Sequence, residues 1–218
     1  MSVAWVVVEK DLRLLWRQRA GWFSAAAFAL ISVLVYSFAL DLAVADVRPL
    51  LPGVLWATFL FAGIIATGQS FAQEAEQGTF DAMLLAPVSR TSLYIAKVVS
   101  NMVALLAIEL GVLVVGTVLF DTTLLTPEIA LIVVTGTLGY VSISTLLSTL
   151  GARVQARAVL LPVLALPLLV PLLIAAVRAT GGALGEPTGT APWLMLLAVF
   201  TAWATLGGAL LFPLVAER

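Results

Sequence analysis

The chain is expected to be an all-α integral membrane protein: six transmembrane helices preceded by an N-terminal amphipathic interfacial helix, forming one domain over residues 1–218. Three observations predict this. Hydrophobic residues make up 62% of the chain and charged residues 11%, against roughly 45–50% and 25% in soluble domains. The apolar residues fall into six runs, each close to the ~20 residues a helix needs to cross the hydrocarbon core. Charges collect in the breaks between runs, and Lys and Arg favour alternate breaks.

Composition also narrows the chemistry. There is no Cys and no His, which removes disulfides, zinc sites, thiolate nucleophiles, imidazole bases and the usual haem axial ligands together. No G-x-x-x-x-G-K-[ST] is present, so the chain has no phosphate-cradling loop with which to hydrolyse nucleotide by itself. It is read as a non-enzyme with no catalytic, cofactor-binding or metal-binding residues of its own. The formal net charge of −1 carries little meaning, because placement along the chain decides topology, and no basic excess points to nucleic acid.

Residues Met1 to Ala20, placed at roughly 100° per residue, put Trp5, Val8, Leu12, Leu15 and Trp16 on one face and Lys10, Arg13 and Arg17 on the other. That pattern suits a helix in the headgroup layer with its cations toward anionic lipid, and it equally serves as a basic topology signal. A cleaved signal peptide is the alternative for this end, given the small triplet Ala43-Val44-Ala45. The apolar run from Trp22 to Leu40 is, however, longer than the roughly 7–15 residues of a signal core.

The spans follow in order. The first is about Trp22 to Leu40, and a loop with Asp41, Asp46, Arg48, Pro49 and Pro52 leads to the second, about Gly53 to Phe71. The third runs from about Leu93 to Phe120, with Lys97 near its start able to snorkel. Asp121, Thr122, Thr123, Pro127 and Glu128 form the next loop. The fourth span, about Ile129 to Leu150, carries Gly136, Gly139, Ser142, Ser144 and Ser148, small residues that let helices approach. A basic turn with Arg153 and Arg157 precedes the fifth, about Ala158 to Val177, where Pro162, Pro167 and Pro171 predict kinking, or a helix broken in advance that bends in use. A Gly/Pro/Thr-rich loop from Arg178 to Pro192 leads to the sixth, about Trp193 to Val215. Trp5, Trp16, Trp22, Trp56 and Trp193 lie near the expected interfaces and read as anchors. The two three-span halves share neither proline placement nor loop length, so no inverted repeat is expected.

Between the second and third spans lies the longest charged interruption. It opens with Gln73, Glu74, Glu76 and Gln77, pauses at Gly78, resumes as Thr79-Phe80-Asp81-Ala82-Met83-Leu84-Leu85 and stops at Pro87. Thr79 and Asp81 are helix-start types, Phe80, Leu84 and Leu85 repeat at helical spacing, and proline terminates. The segment is expected to be a short amphipathic helix outside the bilayer, with Phe80, Met83 and Leu84 as an apolar plug and Glu74, Glu76 and Asp81 at its polar rim. A solvated acidic loop is the plainer alternative.

Lys10, Arg13, Arg17, Arg19, Arg90, Lys97, Arg153, Arg157 and Arg218 fall on the side of the termini, against Arg48 and Arg178 on the other. By the positive-inside rule the termini and the Gln73 to Arg90 segment are expected to be cytoplasmic. Near the centre of the third span sits Glu109. An ionised carboxylate at mid-bilayer costs roughly 2.5–3.5 kcal/mol even on insertion scales, so it is expected to be protonated or paired inside the bundle. A polar station on a transport path and a plain hydrogen bond to a Ser or Thr of the fourth span are both open readings.

Four stretches together resemble the ABC-2-type permeases, and within them the haem-exporter permease family of cytochrome c maturation, CcmB. They are Lys10-Asp11-Leu12-Arg13; Pro52-Gly53-Val54-Leu55-Trp56-Ala57; Gly78-Thr79-Phe80-Asp81-Ala82-Met83-Leu84-Leu85-Ala86-Pro87 with Ala96-Lys97; and Leu166-Pro167-Leu168-Leu169-Val170-Pro171-Leu172-Leu173-Ile174. The likeness spans essentially the whole chain, although Glu109 is not among the residues that carry it. It implies a bacterial inner-membrane permease that pairs with a second copy of itself and with a soluble ATPase of the CcmA kind, on which ATP resides. It further implies CcmC-like and CcmD-like membrane subunits, a periplasmic haem chaperone like CcmE, and haem as the substrate of the complex. The Gln73 to Arg90 segment would then be the ATPase-coupling helix. Rival expectations are an ABC-2 permease for a drug or lipid, and a membrane scaffold that moves nothing.

Overall fold

In the computed structural model, which describes residues 19–43, 46–76, 89–151, 157–187 and 189–216, every regular element is an α-helix. They are α1 (Arg19–Ala43), α2 (Leu51–Glu76), α3 (Arg90–Leu119), α4 (Pro127–Gly151), α5 (Arg157–Ala183) and α6 (Ala191–Ala216). Five of them, α1, α2, α3, α4 and α6, are long and apolar enough to cross a membrane, and α5 contains the shorter apolar stretch Pro167–Ala183. The interfacial helix expected over Met1 to Ala20 lies outside the described residues except at its end, where Arg19 and Ala20 already belong to α1.

Helix ends follow local chemistry. At α4, Thr126 caps with its hydroxyl accepting from the Ile129 N–H at 3.2 Å, Pro127 follows, and Glu128 sits in the first turn near the positive end of the dipole. The α3 start is capped by Ser89, whose hydroxyl accepts from the Ser92 N–H at 3.2 Å. Its other end closes with the Phe120 N–H on the Gly116 carbonyl at 3.0 Å and Asp121 at a φ of 46°, a left-handed position that Asp tolerates better than most residues.

Two boundaries differ from expectation. The charged segment is not set apart from the second span at Gln73, because α2 continues through Glu74 to Glu76. Gln, Glu and Ala are good helix formers and nothing between Phe71 and Glu76 breaks the ladder. Likewise Arg178 is helical rather than the start of a loop, since α5 runs on to Ala183 and stops only past Gly181 and Gly182, with Gly185 at a φ of 100° in the turn. Pro162, Pro167 and Pro171 all lie within α5, and Pro167 and Pro171 are exposed.

Burial sorts the helices into inner and outer. Of the span windows, 67% of α4 and 61% of α2 are buried, against 28% of α3, 22% of α6 and 17% of α1. The fourth helix is inner because its glycines admit neighbours. A Cβ on Gly136 would collide with the indole of Trp56, and one on Gly139 with Leu172 of α5 and Thr201 of α6. On α2, a Cβ at Gly63 would come within 2.7 Å of the Tyr140 ring. Close approach is thereby written into the sequence as missing side chains, which in an apolar solvent is the main source of helix association.

Hydrogen bonds then fix the helices against one another. Thr201 donates to the Thr135 carbonyl at 3.0 Å and Ser142 pairs with Thr205 at 2.9 Å, binding α6 to α4. The Trp56 indole N–H donates to Thr180 at 2.9 Å, joining α2 to α5. Trp56 is therefore not an interfacial anchor: it is 3% exposed and wedged between α2, α4 and α5. Trp22 and Trp193 are half-buried near the starts of α1 and α6, and Trp203 is exposed beside Phe200.

Candidate functional site

Two regions hold the residues singled out in the sequence. One is the end of the bundle where α2 stops and α3 begins. Glu74 and Glu76 are among the last described residues of α2, beyond its apolar window Leu51–Gly68. Gly78, Thr79, Phe80, Asp81, Met83, Leu84, Leu85 and Pro87 lie outside the described residues, as do Lys10, Arg13 and Arg17. The description resumes at the Ser89 cap. There Arg90, expected to close the charged segment, is instead the first residue of α3 and donates from Nη1 to the Pro213 carbonyl of α6 at 3.3 Å.

One turn on, Tyr94 is fully buried, and its hydroxyl donates to the Ser142 carbonyl of α4 at 3.1 Å. Its ring lies 5.5 Å from that of Phe212 and fills the space that a side chain at Gly208 would need. Neither contact was foreseen. The signal was present, since a tyrosine in one span and a glycine pair in another invite such pairing, but nothing in a single sequence says which tyrosine meets which glycine. Lys97 does not lie along lipid either: it is 7% exposed, packed within the bundle on the same face as Asn101.

The second region is the bundle's middle. Glu109 of α3 is 4% exposed, and the Thr137 hydroxyl of α4 donates to its Oε2 at 2.6 Å. Of the readings open for Glu109, the hydrogen bond to the fourth span is thus what is found. A cavity of about 10 Å³, close to the room one water needs, lies beside the carboxyl between Trp56, Thr137, Tyr140 and Leu172. The Tyr140 hydroxyl also sits 3.4 Å from Thr67 on α2. Polar groups from α2, α3 and α4 therefore converge in the interior, where each is worth more paired than unpaired.

Among the described residues the middle is a small polar knot, and at the other end Arg90 and Tyr94 link the start of α3 to α6 and α4. A family model described as CcmB protein matches residues 2–213. No curated protein matches the chain.

Proposed function

The chain belongs to the CcmB protein family, and from that premise we propose that it is the permease through which a separate ATPase drives haem handling in cytochrome c maturation. Family membership makes it a multi-pass inner-membrane protein, the membrane component of a haem-export ABC transporter, and not itself the enzyme that hydrolyses ATP. The observation that carries the reading is the match over nearly the whole chain, joined to a bundle of long apolar helices.

The finer assignments extend that reading. All six helices cross the bilayer with both termini cytoplasmic, and residues 1–20 lie in the interface with Lys10, Arg13 and Arg17 toward anionic headgroups. Two copies pair with two copies of a CcmA-like ATPase, beside CcmC-like and CcmD-like subunits. Nucleotide-driven closure of the ATPase pushes the segment that begins at Glu74 and Glu76, with Phe80, Met83 and Leu84 seated in a cleft of the partner. The work is delivered as transfer of haem to, or its release on, a periplasmic chaperone of the CcmE kind. Support for the placement comes from Arg90 and Tyr94, which tie the segment's exit to α6 and α4.

Co-purification tests the coupling surface. Tagged chain carrying Asp81→Lys with Leu84→Glu, extracted in detergent, should lose its ATPase partner while keeping its membrane level. An unchanged pull-down would remove the segment from the docking surface.

A further inference from the structure

The last three turns of α6 hold three residues that weaken a helix. Gly207 and Gly208 are adjacent, and Pro213, five residues on, has no N–H to offer the carbonyl of Ala209. Sharp bends in helices occur at prolines and at glycine pairs. On the near side of this weak point α6 is bound to α4, through Thr201 on the Thr135 carbonyl and Thr205 on Ser142. On the far side two contacts come from α3. Arg90 holds the Pro213 carbonyl, and Tyr94 lies against Phe212 and Gly208 while its hydroxyl is bonded to the Ser142 carbonyl of α4. Tyr94 reaches its position only because Gly208 has no side chain, whereas Gly207 faces open space, so its lack of one has no packing cause.

We propose that Gly207–Gly208 is a hinge, and that Arg90 and Tyr94 form a latch by which the first turn of α3 positions the end of α6. The inference rests on the coupling reading above and deepens it. The first turn of α3 directly follows the proposed ATPase-contacting segment, so displacement of that segment carries the latch with it. The end of α6 then bends about Gly207 while Thr201 and Thr205 keep the rest of the helix against α4. Arg90 and Tyr94 are positioning residues; they touch no substrate. A hinge flanked by differently anchored segments is a recognised means of turning a local push into a helix displacement, and here Thr201 and Thr205 anchor the near segment to α4 while Arg90 of α3 holds the far one.

The test uses the whole complex, purified with its ATPase and reconstituted in lipid, and reads three quantities for each variant: ATPase co-purification, thermal unfolding, and haem passed to the acceptor per ATP hydrolysed. Gly207→Ala puts a methyl into open space and a better helix former into the joint. It should leave association intact and the unfolding temperature unchanged or raised, yet lower haem transfer per ATP about fivefold or more, the lower end of ordinary coupling strengths. Tyr94→Leu should uncouple to a similar degree, and Tyr94→Phe, which removes only the bond to Ser142, should do so less. Gly111→Ala, another glycine with open space, on α3 away from the joint, should transfer normally. Normal coupling in Gly207→Ala would overturn the hinge, and normal coupling in Tyr94→Leu would overturn the latch, in both cases with the ATPase still bound. Failure of the unmodified chain to retain the ATPase is a different result: it overturns the coupling reading and takes this inference with it.

Discussion

Around Gly136 the helices close from several sides, whereas around Gly208 the final turns of α6 are held by two side chains of α3. In the middle, Trp56 fills the gap that Gly136 leaves and is itself tied to Thr180, while the neighbouring Thr137 holds Glu109. Each residue there is restrained by a helix other than the one it packs on. At the charged end, Tyr94 fills the gap left by Gly208 in the same manner and is likewise tied to a third helix, α4, but the helix it packs on is weakened by the adjacent Gly207 and by Pro213. The same device, an aromatic ring against a glycine, makes a rigid joint where the helix it meets is unbroken and a movable one where that helix carries a glycine pair and an internal proline. Energy supplied from outside would be spent on the second.

Substitutions at the two glycines sharpen that contrast. Gly136→Ala should destabilise by about 1–3 kcal/mol, the usual cost of overpacking, because the indole it meets cannot swing without breaking its bond to Thr180. Gly208→Ala should cost less, since the end of α6, weakened by Gly207 and Pro213, can give way where the buried ring cannot. Thermal unfolding in detergent ranks the two, and the reverse order would erase the distinction. Next in size is Thr137→Val. It strands the Glu109 carboxyl in an apolar interior and should cost roughly 1–2 kcal/mol. Adding Glu109→Leu should recover part of the loss, because removing both partners is milder than removing one.

How far the sequence revealed this division depends on the residue. The spans were legible because apolar runs of membrane length admit few alternatives, and the small residues of α4 announced close packing. The end of α2 was misplaced because a helix does not stop where a bilayer does: Gln73, Glu74 and Glu76 carry on the backbone ladder into a polar setting. Arg178 misled for the same reason. Trp56 was assigned to the interface from its distance along the span, a coordinate that ignores which way the side chain faces. Glu109 was recognised as needing a partner, and the helix that supplies it was named, but Thr137 itself was one of several hydroxyls. The Arg90 and Tyr94 contacts were out of reach, since pairing across more than a hundred residues, as between Arg90 and Pro213, leaves no periodic trace.

The smallest effect bears most directly on Trp56. If its indole N–H serves α5, then Trp56→Phe and Thr180→Val remove the same hydrogen bond, each costing about 0.6 kcal/mol, the average for such bonds between membrane helices. The double variant should be no worse than the worse single, and this non-additivity is the signature of a shared contact. An interfacial anchor would behave otherwise, with losses that add. The phenyl ring also lacks the outer edge of the indole, which is the part that a side chain at Gly136 would strike. Gly136→Ala should therefore be less harmful in the Trp56→Phe background than alone. Were the penalty of Gly136→Ala the same in both backgrounds, the ring would not be what holds α2 and α4 at their present spacing, and the middle of the bundle would owe its rigidity to some other contact.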